Sequence, residues 1–168
     1  DAELMDRLQN QVPGYSMRMQ EVTAAMLTPQ IKRLSTIKKI HVDNWELLHS
    51  LIHDHPNIEI PMPLPEVDPF CDTMQFHLVG LSRDEADRFI DLMKQEGIPM
   101  QIFGARRNAR DFRQWEYIKA HQDELNETIA NIEFACDLSM QPHLTQENIR
   151  IMAQVIQDVL TYIGEQAH

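Results

Sequence analysis

The sequence predicts an α+β domain, in which a small antiparallel or mixed sheet is covered by helices and preceded by a long kinked helix. Two observations carry this prediction. Apolar residues recur at helical spacing over the first third of the chain, as they do in an amphipathic helix. Short alternating segments then lie between further helical patterns, and this mixture is typical of the α+β class.

The first predicted element is a long linking helix over residues 19–53. Pro29 has no N–H to complete the helical hydrogen-bond pattern, so we expect a kink or a break there. Pro56 ends the helix, because the residue before a proline avoids helical geometry. We therefore assign residues 1–55 to an N-terminal extension with its linking helix, and residues 56–168 to a small α+β domain.

Two strands follow. Residues 58–60 form a short strand that leads into the spaced prolines of residues 61–65, which favour an extended edge segment or a linker. Residues 73–81 alternate between apolar and polar side chains, as a half-buried strand does. Its apolar face is expected to carry Met74, Phe76 and Leu78.

Capping patterns mark the later helices. Ser82 and Glu85 form a capping box, in which each side chain bonds a backbone N–H at the helix start. Gly97 is suited to ending that helix, and Thr145 caps a final helix that ends near Gly164. Between them we predict strands over residues 98–103 and 136–141 and helices over residues 108–119 and 125–134.

The composition limits the class of protein. A chain of 168 residues with 43% hydrophobic and 24% charged residues is ordinary for a globular domain. The net charge of −11 argues against nucleic acid as a partner, and no apolar run reaches the roughly 18 residues of a membrane span. Cys71 and Cys136 lack C-x-x-C spacing, so they fit a reducing cytosol and predict a cytoplasmic protein. The absence of an initial methionine is compatible with a piece of a longer chain.

A glycine motif before the linking helix is the first candidate for chemistry. Gly14, Ser16 and Arg18 would bring a backbone turn, a hydroxyl and a guanidinium to the N–H groups of a helix start, an arrangement that suits an anion. The alternative is structural: Ser16 caps the helix and Arg18 pairs with Glu21.

An arginine-rich segment is the second candidate. Four of the chain's fifteen basic residues fall within eight positions, at Arg106, Arg107, Arg110 and Arg113. In a helix, Arg106, Arg110 and Arg113 would share one face and form a cradle for a phosphate or a carboxylate. The alternative is an exposed basic face that balances Asp111 and nearby acids.

Three histidines raise the question of a metal site. His49 and His53 lie one helical turn apart, and His55 follows them. No H-E-x-x-H pattern accompanies them, and histidines near a helix C-terminus interact favourably with its dipole. We therefore predict no metal ligand, and a metal-binding protein remains an alternative on the histidines alone.

Residues 14–25 carry a family resemblance. Their sequence, Gly-Tyr-Ser-Met-Arg-Met-Gln-Glu-Val-Thr-Ala-Ala, resembles the Gly-Tyr-Asn-Tyr-Arg-Met-Ser-Glu-x-x-Ala-Ala signature of DegT-type, pyridoxal-phosphate-dependent sugar aminotransferases. Residues 30–34, 96–98 and 138–145 are similar to later motifs of that family and occur in the same order. Together these matches cover most of the chain from Gly14 onward.

The resemblance implies the small C-terminal domain of an aspartate-aminotransferase-like fold, and it implies a role for each matching residue. Ser16 stands where the family asparagine reaches across a dimer to the cofactor phosphate, and Arg18 matches an arginine on the substrate side. The segment that begins at Phe103 matches the wall of the sugar pocket. The substrate-binding residues implied there are Phe103, Arg106, Arg107, Asn108 and Arg110.

The resemblance also implies which parts of the enzyme lie elsewhere. In the family the lysine that binds pyridoxal phosphate precedes the glycine motif, and none of the thirteen residues before Gly14 is a lysine. The implied partners are an upstream large domain, a second identical subunit and a nucleotide-linked or otherwise activated keto-sugar. This chain alone is then expected to be inactive, to bind no pyridoxal phosphate, and to expose an apolar face on residues 19–51.

A non-catalytic partner or regulatory domain is the alternative within the same family. Such a domain would keep the scaffold without the cofactor lysine, and the serine at position 16 also suits it. The reading frame upstream of Asp1 distinguishes the two hypotheses, because only the enzyme requires a continuous cofactor-binding region there.

Overall fold

The computed structural model describes residues 19–105 and 111–166, with the side chains of residues 121–124 excepted. Over these residues the chain has the predicted α+β class, with five α-helices, two 3₁₀-helical segments and four strands. In chain order the α-helices and strands are α1 (Glu21–Ile31), α2 (Leu34–Ile52), β1 (Ile58–Glu59), β2 (Thr73–Leu78), α3 (Arg83–Gln95), β3 (Met100–Ile102), α4 (Asn126–Glu133), β4 (Ala135–Ser139) and α5 (Gln146–Gln166). No helix in the described ranges is long and apolar enough to cross a membrane.

The predicted linking helix is in fact two helices, and its break does not lie at Pro29. Pro29 is inside α1, and the break follows Ile31, where the Arg33 N–H donates to the Gln30 carbonyl in a tight turn. A proline removes the N–H of one residue only, and its fixed φ fits a helix. The helix therefore continues past the proline before it ends.

The four strands form one sheet in the order β1-β2-β4-β3, and every neighbouring pair is antiparallel. The expectation of an antiparallel or mixed sheet is thus resolved to antiparallel. Strand β4 lies between β2 and β3, so Cys136 is in register with both Phe76 and Ile102. Strand β1 lies at an edge, as the prolines after it predict.

The core lies between one face of the sheet and helices α2, α3 and α5. Alternate residues of β2 point into it, and Met74, Phe76 and Leu78 are at most 4% exposed, which confirms the predicted face. Burying a side chain of this size contributes about 1.5–3 kcal/mol. The helices contribute fully buried residues that include Leu48, Phe89 and Ile156.

Reciprocal side-chain bonds start α3 and α5. The Ser82 side chain accepts the Glu85 N–H, and the Glu85 carboxylate accepts the Ser82 N–H at 2.7 Å, which confirms the capping box. Thr145 and Asn148 exchange the same pair of bonds before α5. Two of the three helices that cover the sheet, α3 and α5, are therefore fixed at their first turn by local side chains.

The two glycines predicted to end helices behave differently. Gly97 follows α3 with a φ of 79°, in the left-handed region that suits glycine, and it ends the helix as predicted. Gly164 lies within α5, which continues to Gln166. A glycine ends a helix in this way only where the backbone turns into the left-handed region, which Gly164 does not enter. The described part of α5 ends two residues after Gly164, close to the predicted position, and the glycine is not the cause of that end.

The segment between β3 and α4 differs most from its prediction. An α-helix is predicted over residues 108–119, of which residues 108–110 lie outside the described ranges. From Phe112 onward the chain instead forms two 3₁₀-helical segments, Phe112–Gln114 and Glu116–Glu124, separated by Trp115 in an extended conformation. The Trp115 N–H bonds the Phe112 carbonyl three residues earlier, which is the 3₁₀ pattern. The helix predicted over residues 125–134 is confirmed as α4.

Candidate functional site

Of the residues to which the family resemblance assigns a binding role, only Phe103 lies within the described ranges. Ser16 and Arg18 precede them, and Arg106, Arg107, Asn108 and Arg110 fall in the gap between residues 105 and 111. The described residues therefore define the walls of the candidate substrate site and the two ends of its arginine-rich segment.

Phe103 continues the edge of the sheet into this site. Its backbone N–H donates to the Ala135 carbonyl at 2.9 Å, directly after β3. The half-buried side chain lines a cavity of about 260 Å³, together with His77 from β2 and Asn131 from α4. Gln75 also lines this cavity and alternates in β2 with the core residues, so the cavity adjoins the sheet face turned away from the core.

Gly104, the next residue of the segment, lies directly against α4. Its N–H donates to the Ile132 carbonyl at 2.8 Å. A Cβ at this position would lie 2.8 Å from the Ile132 carbonyl oxygen and 3.0 Å from the Glu133 Cα. Any larger residue would push its Cβ into the backbone of α4, so this close approach requires glycine.

Asp111 and Arg113 close the other end of the segment. The Asp111 carboxylate is nearly buried and accepts the Arg113 backbone N–H at 3.0 Å, and its two oxygens also accept the guanidinium Nε and Nη2 groups at 2.9 and 2.8 Å. The same Nη2 donates to the Gly104 carbonyl at 2.8 Å. One guanidinium therefore joins the two ends of the arginine-rich segment.

The position of Arg113 corrects the predicted cradle of three arginines. The side-chain hydrogen bond to Asp111 raises the pKa of Arg113, and burial opposes this rise by a smaller amount. A guanidinium committed to Asp111 and Gly104 holds the segment together and is not a free anion ligand. The sequence reasoning missed Gly104 and Asp111 as site-forming residues, although an acid within an arginine run is a signal for such an internal pair.

The five lysines of the chain all lie within the described ranges, and none lines the Phe103 cavity. Four are exposed, and the fifth, Lys38, is half-buried and pairs with Asp68. A lysine that binds pyridoxal phosphate covalently needs an enclosed site that depresses its pKa. The described residues do not supply that anchor.

The histidines of α2 form an aromatic stack. The rings of Trp45, His49 and His53 follow one another at centroid distances of 5.1 Å, with interplanar angles of 19° and 11°. Burial, and then the charge of His53, lowers the pKa of His49. His55 instead accepts the Asn57 N–H at 3.2 Å. In the described part of the chain, no three His, Cys, Asp or Glu side chains are placed to hold a metal ion.

Helix α1 exposes an apolar surface, as expected for this region. None of its residues is buried. The exposed apolar side chains on or beside it are Met19, Val22, Met26, Leu27 and Ile31. A surface of this kind marks an interaction site in a soluble protein.

Comparisons with known proteins agree with this fold. With a TM-score of 0.74 and 15% identity, the chain resembles a provisionally assigned sugar aminotransferase of Streptococcus pneumoniae, Spr1654 in its PMP form, covering 90% of this chain and 38% of that one. PseC of Helicobacter pylori, an aminotransferase involved in the biosynthesis of pseudoaminic acid, matches with a TM-score of 0.70 and 12% identity over 89% and 39%. The chain thus spans about two fifths of the length of these structures.

A third structure has the same fold and a different reaction. GDP-4-keto-6-deoxy-D-mannose-3-dehydratase of Escherichia coli, with bound hydrated PLP, matches with a TM-score of 0.60 and 18% identity over 86% and 37% of the two chains. No curated protein sequence matches the chain. The model of the DegT/DnrJ/EryC1/StrS aminotransferase family matches residues 2–157. The chain belongs to the DegT/DnrJ/EryC1/StrS aminotransferase family.

Proposed function

We propose that this chain is the C-terminal part of a pyridoxal-phosphate-dependent enzyme that transfers an amino group to an activated keto-sugar. Membership of the aminotransferase family supports the reaction class. This chain matches only about two fifths of each related structure. This supports the proposal that the cofactor site is supplied by the remaining part of the enzyme. The lysine positions agree with this, since four of the five are exposed.

The single observation that carries the proposal for the substrate wall is the bond from Arg113 to Gly104, supported by Asp111. It holds both ends of the arginine-rich segment beside the cavity that Phe103 lines. In an acidic protein, Arg106, Arg107 and Arg110 supply positive charge for the anionic group of an activated sugar, and Asn108 supplies amide hydrogen bonds. Phe103 provides the apolar wall of the same site.

Ser16 and Arg18 have the second role in this proposal. Ser16 donates its hydroxyl to the cofactor phosphate of a partner subunit, and Arg18 binds the substrate side of that site. A homodimer is therefore part of the proposal, and the exposed apolar surface around α1 supports a covering partner surface. Pyridoxal phosphate supplies the electron sink for amino transfer when it is bound in the complete enzyme.

The alternative, a non-catalytic partner of an intact aminotransferase, is favoured by one observation. The described residues offer no enclosed lysine, which suits a chain that has no covalent anchor of its own for the cofactor. The longest continuous reading frame that contains the chain decides between the two hypotheses. If that frame begins at this chain and its product forms no cofactor absorbance with pyridoxal phosphate, the enzyme hypothesis is wrong.

The test of the substrate wall uses the full-length enzyme with glutamate as the amino donor, or glutamine if glutamate does not react. The half-reaction of the donor, called the glutamate half-reaction below, is followed by absorbance, and the sugar product is followed by mass. Arg106→Gln and Arg110→Gln are expected to raise KM for a nucleotide-linked keto-sugar about tenfold each, the loss of one charge-assisted contact, and to leave the glutamate half-reaction unchanged. Arg150→Gln, on the exposed surface of α5, is the matched control. Loss of oxygen without gain of nitrogen in the product would instead assign a dehydratase.

A further inference from the structure

A larger cavity lies between α2, the proline-rich segment and the start of β2. Its volume is about 670 Å³, within the range of pockets that bind small molecules. Among the described residues, it shares Pro61 and Gln75 with the cavity beside Phe103. Phe103, the one described residue with an implied binding role, does not line it, so the described part of the proposed sugar site leaves this cavity unexplained.

The two aromatic walls of this cavity are held by rings of α2. Trp45 lines the cavity and stacks on His49 with ring centroids 5.1 Å apart and an interplanar angle of 19°. Phe70 also lines the cavity, and its ring centroid is 5.3 Å from that of the buried His41. Both rings are therefore fixed before any ligand arrives, which lowers the entropic cost of binding.

Within the described ranges, the charged residues that line the cavity are all acidic: Glu46, Asp68 and Asp72. Lys38, which pairs with Asp68, is not part of the lining. Burial, and then the charge of Glu46, raises the pKa of the half-buried Cys71 thiol, while the charge of Lys38 acts in the opposite direction. An anionic sugar would be repelled here, so the cavity selects a ligand of the opposite charge.

We propose that this cavity binds a small organic ammonium ion, held by the face of Trp45 and by the carboxylates of Glu46 and Asp72. A cation over an indole ring is attracted by the ring quadrupole, and alkyl groups on the nitrogen pack against the apolar walls. The carboxylates at the rim add charge attraction without burying an ion pair. The aromatic and acidic groups together favour an organic ammonium ion over an inorganic cation, because an inorganic cation has no alkyl groups to pack against the aromatic walls.

The test compares two probes of equal shape on the complete chain. Choline carries a quaternary ammonium group, and 3,3-dimethylbutan-1-ol replaces its nitrogen by carbon. Binding is followed by the indole N–H signal of Trp45 in two-dimensional NMR, assigned with Trp45→Phe. Choline is expected to shift this signal saturably, with an affinity about fivefold above that of the neutral alcohol. Equal affinities, or no shift with choline, would overturn the proposal.

The charge requirement is tested by removing the two rim carboxylates together. Glu46→Gln with Asp72→Asn is expected to weaken choline binding about fivefold and to leave binding of the neutral alcohol unchanged. Glu127→Gln with Glu147→Gln removes the same charge from exposed positions on α4 and α5 and is expected to change neither. A choline affinity unchanged by the first pair contradicts the proposal, and the probe comparison on the unaltered chain stands independently of any variant.

Discussion

The Asp111 carboxylate binds Arg113, two residues away, through both its guanidinium and its backbone N–H. In this short ion pair the side chain of Asp111 is 4% exposed and that of Arg113 is one-third exposed. The pair also determines a third contact, because the guanidinium that Asp111 orients is the one that donates to the Gly104 carbonyl. One carboxylate therefore fixes a 3₁₀ turn and a loop closure together.

Asp111→Asn is expected to lower the free energy of unfolding by about 1–3 kcal/mol, because the Arg113 guanidinium loses the charge of its nearly buried carboxylate partner. Urea denaturation measures the loss. Asp43→Asn removes the exposed bond from Lys39 and is the control, with an expected change of about 0.5 kcal/mol or less. Similar small losses in both variants would show that the Asp111–Arg113 pair does not stabilise the segment.

Gly104→Ala and Gly164→Ala are expected to change stability in opposite directions. At Gly104 the new Cβ meets the backbone of α4 at 2.8 Å, and this overpacking costs about 1–3 kcal/mol. At Gly164 nothing lies within 4 Å of the new Cβ, and alanine in a helix gains up to about 1 kcal/mol over glycine. Thermal unfolding of the two variants checks the signs, and a Gly104→Ala protein as stable as the parent contradicts the described approach to α4.

The two cysteines are expected to react with a thiol reagent at very different rates. Burial, reinforced by the charge of Asp137, raises the pKa of Cys136 far above its ordinary range, and its side chain is fully buried. Cys71 is half-buried with a smaller rise in its pKa. The thiolate is the reactive form, so labelling at Cys71 should accelerate as the pH rises, while Cys136 reacts only on unfolding. Cys71→Ser provides the control, and rapid labelling of that variant in native buffer would be inconsistent with this core.

Ser82→Ala is expected to destabilise the domain by about 1 kcal/mol at neutral pH, the usual cost of losing a helix cap. Bonds from Ser82 lower the pKa of Glu85. A depressed carboxyl pKa contributes stability above the ordinary pKa, and this stability disappears as the pH falls through the folded-state pKa. The difference between the variant and the parent should therefore narrow in acid. Ser50→Ala, which removes a bond to the Leu47 carbonyl within α2, should show no such narrowing.

The sequence predicted those elements whose cause is local. The alternation of Met74, Phe76 and Leu78 and the exchange between Ser82 and Glu85 involve neighbours within a few residues, and both are confirmed. The order of the strands depends on pairing between residues about sixty positions apart, and no local pattern encodes that. Sequence reasoning could therefore give the class of the sheet but not the position of β4.

The candidate site was less predictable for a related reason. Arg113 was expected on a helical face with other arginines, and this expectation depended on an α-helix that Asp111 and Trp115 replace with 3₁₀ turns. The cavity beside Phe103 is formed by His77 and Asn131, which belong to elements far apart in the sequence. No motif connects residues that meet only after the sheet has formed.

The position of β4 between β2 and β3 means that the sheet can form only after β4 has been synthesised. During synthesis β1, β2 and β3 all emerge before β4, and β2 and β3 are not neighbours in the finished sheet. The hydrogen bonds at the centre of the sheet require residues 135–139, and α5, which covers the sheet, follows them in the chain. A nascent chain that stops before β4 keeps two unpaired strand edges in contact with solvent. The central strand of the sheet is thus the last strand to be synthesised, and only α5 follows it among the described helices and strands.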